Sequence, residues 1–302
     1  MSEIASTNRA RIPLSRRADR PLVAFWVLAY AIAWGTLALL GLIARRSGVD
    51  GALALLQMGE AYDFAGASLS VPPWLVYLLT RLADFSFTIA GAVMIALTAG
   101  RAGLQALWQR LTRWRIAPRW YAVGLLPIVL YVLAVVVAGV GEMAPLSGAT
   151  LLTLVFSAEA GLLVSLFMRG AMGEELGLRG FVLPRLQARM SPFRASLVIG
   201  LFWGAWHLPV LLGRDAVSIV AFLLLSFGLS FIFTWMFNGS GGSLIPGLLF
   251  HATQNWEEGF ETLFPALVGT DWELISTLAL LLLGIVVAAL VRRNSRTRTS
   301  SG

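Results

Sequence analysis

Apolar residues run along this chain in long blocks instead of recurring every second or every third and fourth position, which is the pattern of helices with no watery face. A helix crossing a bilayer needs about 20 mostly apolar residues. By that measure about eight spans can be drawn, with cores near 21–44, 74–99, 120–141, 150–172, 194–213, 216–237, 243–257 and 271–291. The seventh is short. The pattern predicts an all-α, polytopic transmembrane helix bundle. The first run contains Ala29-Tyr30-Ala31, a small-residue stretch of the kind a signal peptidase cuts, but it continues well beyond that point and reads as a signal anchor. Internal repeats, heptads, low-complexity stretches and soluble domains are not apparent.

Composition supports the same class: 58% of residues are hydrophobic and 13% charged, too little polar surface to wrap a soluble core. The 23 basic residues are all Arg, with 2 His and 0 Cys. Without Cys the chain has no disulfide, no thiolate nucleophile and no Cys-ligated zinc. A net charge of +7 raises nucleic acid as a partner, but the arginines flank apolar runs and form no stripe of their own. Membrane lipid is the expected partner and nucleic acid is not.

Arginines in short connections mark the cytoplasmic side. They collect at 9–20, at 101–119, between 179 and 194, and at 292–298, whereas the connections holding Glu142 and Glu257, Glu258, Glu261 and Asp271 contain none. An even number of spans with both termini cytoplasmic satisfies this pattern, with Arg45 and Arg46 as the exception. The expected division is a basic N-terminal segment at 1–20, transmembrane helices at 21–149, a chemistry-bearing core at 150–257, and a last helix with a basic tail at 258–302.

Ionisable side chains inside a membrane domain cost roughly 2.5 to 3.5 kcal/mol each on insertion scales and call for an explanation. Three stretches hold those that matter. In Gly173-Glu174-Glu175-Leu176-Gly177-Leu178-Arg179-Gly180, Glu175 and Arg179 are one helical turn apart and placed to pair. Glu174 then points about 100° away. Two adjacent carboxylates in a dry site repel, which favours proton uptake by one of them, the requirement for a general base. The plainer alternative is a solvated helix end with an ordinary Glu–Arg pair. In Phe202-Trp203-Gly204-Ala205-Trp206-His207-Leu208-Pro209, the small residues allow close helix approach and Pro209 opens the backbone just past His207. That imidazole either shares a proton or is satisfied by a neighbouring carbonyl. His251 and Asn255 again share one helix face, as an oxyanion pocket or as polar glue between helices. Both histidines of the chain and the adjacent Glu pair fall in these three stretches, and their convergence is the expectation. His207 and His251 are too far apart for an HExxH zinc motif.

The three stretches resemble, in order and spacing, the EExxxR, FxxxH and HxxxN motifs of the CPBP family, the CAAX proteases and bacteriocin-processing enzymes that include the type II CAAX prenyl protease. Here they read Glu174-Glu175 with Arg179, then His207, then His251 with Asn255. Gly180, Leu183-Pro184-Arg185-Leu186 and Leu208-Pro209 are similar to bacterial members, which points to a bacterial cell membrane. Trp203 stands where the family has Phe, a change expected to affect packing more than chemistry. The resemblance covers roughly residues 150–257. It implies an intramembrane endopeptidase in which Glu174 with His207 activates a water, Glu175 and Arg179 position the site, and His251 and Asn255 stabilise the oxyanion. The substrate would be a peptide or membrane protein, with prenylated proteins the family's association. Family members are often labelled metalloproteases, so zinc on Glu174, His207 and His251 stays open beside a metal-free glutamate mechanism. In either case the site is expected in a wet cavity below the cytoplasmic surface.

Three rivals remain at this level. Asn238-Gly239-Ser240-Gly241 weakly resembles the nucleophile stretch of rhomboid proteases. The same fold could serve as a non-proteolytic immunity or partner-binding protein. Intramembrane Glu, His and Arg also mark transport paths, although no inverted repeat relates the two halves.

Overall fold

A computed structural model describes residues 19–158, 160–268 and 270–297; Arg9, Arg11, Arg16, Arg17 and Arg298 of the two basic termini lie outside the described residues. With no water to satisfy backbone groups, apolar segments must bond internally, and the described residues form helices and no strand. In chain order α1 (Asp19–Ser47) and α2 (Gly51–Ala61) form a hairpin, and α3 (Pro73–Asp84) runs through a break at Phe85 into α4 (Ser86–Leu111). Next, α5 (Arg119–Gly124) continues through Leu125 into α6 (Leu126–Val137). Then come α7 (Gly148–Phe156), α8 (Leu162–Met168), α9 (Gly170–Gly177), a π-turn over Leu178–Val182, and α10 (Leu183–Gln187). α11 (Pro192–Trp206) and α12 (Leu208–Leu211) meet at His207. α13 (Ala216–Gly239), α14 (Ile245–Gln254), α15 (Glu257–Leu263), a 3-10 turn at Pro265–Leu267 and α16 (Trp272–Thr297) complete the order.

The bundle is all-α and membrane-like, but its spans are less regular than the apolar runs suggest. Arg20–Ser47, Ser86–Leu111, Ala216–Gly239 and Trp272–Arg293 are each long and apolar enough to cross a bilayer alone, and no more than 39% of any of these windows is buried. Their remaining apolar side chains face outward, as lipid-facing residues do. The other expected spans are built from pieces. The run 150–172 in particular falls on α7, α8 and the start of α9, so Glu174 and Glu175 begin a new helix instead of ending that span. Prolines explain several breaks, because Pro127 and Pro209 cannot donate to the preceding turn.

Glycine sets the closest approach in the core. A methyl on Gly177 would lie 2.1 Å from the Phe87 carbonyl oxygen, and one on Gly173 2.4 Å from that of Asp84, so α9 can lie directly on the α3–α4 junction. Gly100 breaks α4 with φ 56°, and the chain then doubles back: Thr98 meets Arg185, while Leu107 and Arg110 meet Gly180.

The two ends of the bundle differ in charge. The guanidinium of Arg113 donates to the Gly241 carbonyl, Arg185 reaches Thr98, and Arg292 lies over the Phe193 ring, so the α4–α5, α13–α14 and α10–α11 connections and the end of α16 share one end. That end carries the arginine clusters of the sequence. Asp215 and Asp271 immediately precede α13 and α16, at the opposite ends of those helices.

Candidate functional site

Glu174 and Glu175 project from α9 in different directions, as one helical step requires. Glu175 and Arg179 pair as the one-turn spacing predicts, with Arg179 Nη1 2.8 Å from Glu175 Oε1. The same oxygen accepts from His251 Nδ1 at 2.9 Å, across from α14. All three side chains are buried. The guanidinium also lies 4.4 Å from the Phe233 ring centroid and 5.3 Å from that of Trp203. Arg179 sits in the π-turn, a distortion that recurs at functional sites because it re-aims side chains.

Glu174 turns the other way, into a cavity of about 260 Å³. Its Oε2 accepts a hydrogen bond from the Trp203 indole N–H. The aromatic that departs from the family pattern therefore does more than pack: phenylalanine has no N–H to offer, and this one holds one carboxylate oxygen in place. The other oxygen takes part in a convergence visible at Gly170, the first residue of α9. A methyl built there would lie 3.0 Å from His251 Nε2, 3.1 Å from Asn255 Nδ2 and 3.2 Å from Glu174 Oε1. Three polar atoms from α9, α14 and the residue closing α14 thus face one point, kept open because residue 170 has no side chain.

His207 closes α11 and lines the same cavity. Its Nδ1–H donates to the Trp203 carbonyl at 2.9 Å, which leaves the Nε2 lone pair available. Trp206 and Phe222 hold the ring, with centroids 4.6 and 4.8 Å away. All six side chains singled out from sequence therefore belong to one neighbourhood: Glu174, His207 and Asn255 border the cavity, His251 turns its Nε2 to the Gly170 wall, and Glu175 and Arg179 stand behind. Ser240 does not join them. Its hydroxyl donates to the Phe237 and Ser243 carbonyls in the α13–α14 connection, at the arginine-rich end.

The cavity also takes in residues that carried no sequence signal. Asp84, at the α3–α4 break, borders it and forms an ion pair with Arg81 at 3.1 Å. Arg169, just before Gly170, pairs with Glu60 of α2 at 3.0 Å. Glu257 and Glu258 complete the wall. Glu257 accepts from the Tyr131 hydroxyl at 3.4 Å, and burial, reinforced by Glu258 and Glu273, pushes its carboxyl up to about 7. Ala33, Leu37 and Ala83 supply the apolar part, so α1 and α3 share the site with the segment 150–257. Carboxylates and the Arg169 guanidinium thus share the cavity wall.

The donor set does not fit zinc as it stands. Among the described residues no three His, Asp or Glu side chains are arranged to hold a metal ion. Glu175 takes one nitrogen of His251, the Trp203 indole takes one oxygen of Glu174, and the Trp203 carbonyl takes one nitrogen of His207.

Comparison with known proteins bears out the resemblance over this segment. Residues 156–256 match the family model described as Type II CAAX prenyl endopeptidase Rce1-like. A relative, CAAX prenyl protease 2 of Methanococcus maripaludis, is 33% identical over 106 residues, covering 32% of this chain and 39% of the relative. The chain thus spans about two fifths of that relative's length. The matched segment runs from the end of α7 to just past Asn255 and contains all three motifs.

Proposed function

We propose that the cavity is the active site of an intramembrane endopeptidase, acting on a peptide or membrane-protein substrate by direct attack of water. The observation that carries this reading is the convergence of Glu174 Oε1, His251 Nε2 and Asn255 Nδ2 on one point beside Gly170, in the wall of a partly polar cavity. A carboxylate beside two nitrogens is what hydrolysis of an amide requires: a base for the water on one side and donors for the developing oxyanion on the other.

In this reading Glu174 Oε1 takes a proton from water as the oxygen attacks the scissile carbonyl carbon. His207 Nε2, an acceptor in the tautomer fixed by Trp203, holds the water from a second side. The carbonyl π electrons move onto oxygen, and that oxyanion receives hydrogen bonds from His251 Nε2–H and Asn255 Nδ2–H. For His251 to donate through Nε2 while Nδ1–H donates to Glu175, the ring must be the imidazolium, and Glu175 balances it directly. Arg179 pairs with Glu175 and orients it. On collapse the C–N bond breaks, and the proton held by Glu174 passes to the leaving amine. No step needs a metal.

The experiment is cleavage of a fluorogenic peptide library, prenylated members included, by purified protein in nanodiscs, alongside His207→Ala and with and without a zinc chelator. Cleavage by wild type that resists the chelator and falls about 100-fold in His207→Ala is expected, the order of the loss when an attacking group is mispositioned by about 1 Å. Chelator-sensitive cleavage would overturn the metal-free mechanism. Failure to cleave any member would move the protein to the non-proteolytic, partner-binding class.

A further inference from the structure

The arginine end of the bundle holds more positive charge than its own contacts neutralise. Past the Gly100 break, the chain from Arg101 to Arg115 doubles back against the π-turn, and three guanidinium groups gather there. Arg110 Nη1 donates to the Gly180 carbonyl at 3.0 Å, and Arg185 Nη1 donates to the adjacent Phe181 carbonyl at 3.1 Å. Arg185 Nη2 also reaches Thr98 Oγ1 at 3.2 Å. Arg113 Nη1 donates to the Gly241 carbonyl at 3.0 Å, while its own carbonyl accepts from the Ser243 hydroxyl at 2.8 Å, so the α13–α14 connection closes the group. All of these partners are neutral. Among the described residues none of the three arginines forms an ion pair. The segments 98–115, 178–191 and 237–248, which supply these contacts, contain no Asp or Glu.

Membrane insertion asks only that arginines be present in a connection. It does not ask them to converge or to be buried, yet Arg185 is only 7% exposed. A guanidinium taken out of water without a counter-charge is costly, and an anion supplied from outside offsets that cost. Donors for it are at hand, because a guanidinium carries five N–H groups and each of these uses one or two on the contacts above. The neighbouring surface says which anion. Trp108 and Trp114 are 64% and 62% exposed, Leu104 is exposed between them and the Gly100 break, and Arg115 lies 5.0 Å from the Trp114 ring centroid. Exposed tryptophan beside arginine is the pattern of the headgroup layer, where phosphates are the abundant anions. We propose that Arg110, Arg113 and Arg185 hold the phosphate of an anionic phospholipid. That lipid ties the returning segment of α4 to the π-turn that carries Arg179.

Native mass spectrometry of the detergent-purified protein, titrated with phosphatidylglycerol, phosphatidylcholine or inorganic phosphate, reads binding directly, and thermal unfolding of the same samples reads its effect. Phosphatidylglycerol should bind wild type more tightly than phosphatidylcholine and raise the unfolding midpoint by about 3 °C or more. The double variant Arg110→Gln/Arg185→Gln should bind it about 10-fold or more weakly, as expected for lost hydrogen bonds to a charged group. Arg292→Gln/Arg293→Gln removes the same charge from α16 at the same end and should bind it as wild type does. Equal losses in the two double variants would mean attraction by bulk charge only and overturn the site, as would equal affinity of wild type for the two lipids. Inorganic phosphate that stabilises wild type as much as phosphatidylglycerol does would overturn the lipid assignment. Where Arg110→Gln/Arg185→Gln fails to fold, Arg113→Gln at its exposed position decides: a loss of about 5-fold is expected, and unchanged affinity overturns the three-arginine site.

Discussion

Gly170 offers the sharpest separation of chemistry from folding. Its backbone is outside the left-handed region, so alanine fits the main chain, and the added methyl would meet polar atoms at 3.0, 3.1 and 3.2 Å. Ordinary contacts begin at 3.4 Å, so His251, Asn255 and Glu174 would each have to retreat by a few tenths of an ångström. The methyl would also occupy the point on which the three converge. Displacements of about 1 Å in a preorganised site cost on the order of 100-fold in rate, and exclusion of the attacking water adds to this. Stability should barely change, because alanine in a helix is favoured over glycine by about 1 kcal/mol, which offsets the crowding. Gly170→Ala should therefore unfold within a few degrees of wild type yet cleave its best peptide at least about 100-fold more slowly in kcat/KM. Full activity in a folded Gly170→Ala protein would refute the placement of the reacting atoms beside Gly170.

Trp203→Phe installs the family's own aromatic and removes the N–H that holds Glu174 Oε2; kcat should fall about 10-fold or more with KM and thermal midpoint nearly unchanged, since a hydrogen bond to a charged group is worth about 1.5 to 3 kcal/mol. Glu175→Gln leaves Arg179 without its buried counter-charge and should destabilise the fold by roughly 3 to 5 kcal/mol, read by thermal unfolding in detergent. Gly177→Ala drives a methyl to 2.1 Å from the Phe87 backbone oxygen and should abolish accumulation of folded protein in the membrane. Folded Glu257 keeps its proton to about pH 7, whereas an unfolded glutamate loses it near the ordinary value of 4.5. The unfolded state binds fewer protons across that window, so stability falls as pH rises through it, and Glu257→Gln should flatten that slope between pH 5 and 8.

The sequence was most informative where spacing along one helix decides geometry. One turn separates Glu175 from Arg179 and His251 from Asn255, and each pair shares a face as periodicity demands. The apolar runs likewise identified the helical bundle. What periodicity could not supply are contacts between distant segments: Glu175 meets His251 across 76 positions, and Arg169 meets Glu60 across 109. Asp84 lay inside the apolar run 74–99 and Gly170 inside the run 150–172, with no spacing to mark either one. The Trp203 donor was legible as an aromatic position, but its partner depends on how α11 crosses α9. Span integrity was overestimated because hydropathy is blind to breaks at Phe85, Arg169 and His207, and those breaks are what bring polar side chains to one depth.

The most direct test of the account is the cleavage rate of Glu174→Gln against wild type on the same peptide, with thermal unfolding measured on both preparations. Glutamine keeps the shape and the indole contact and removes only the base. The account predicts an unchanged unfolding midpoint and a fall in kcat of about 100-fold to 10,000-fold, the range for a lost general base. Undiminished cleavage by folded Glu174→Gln would contradict it.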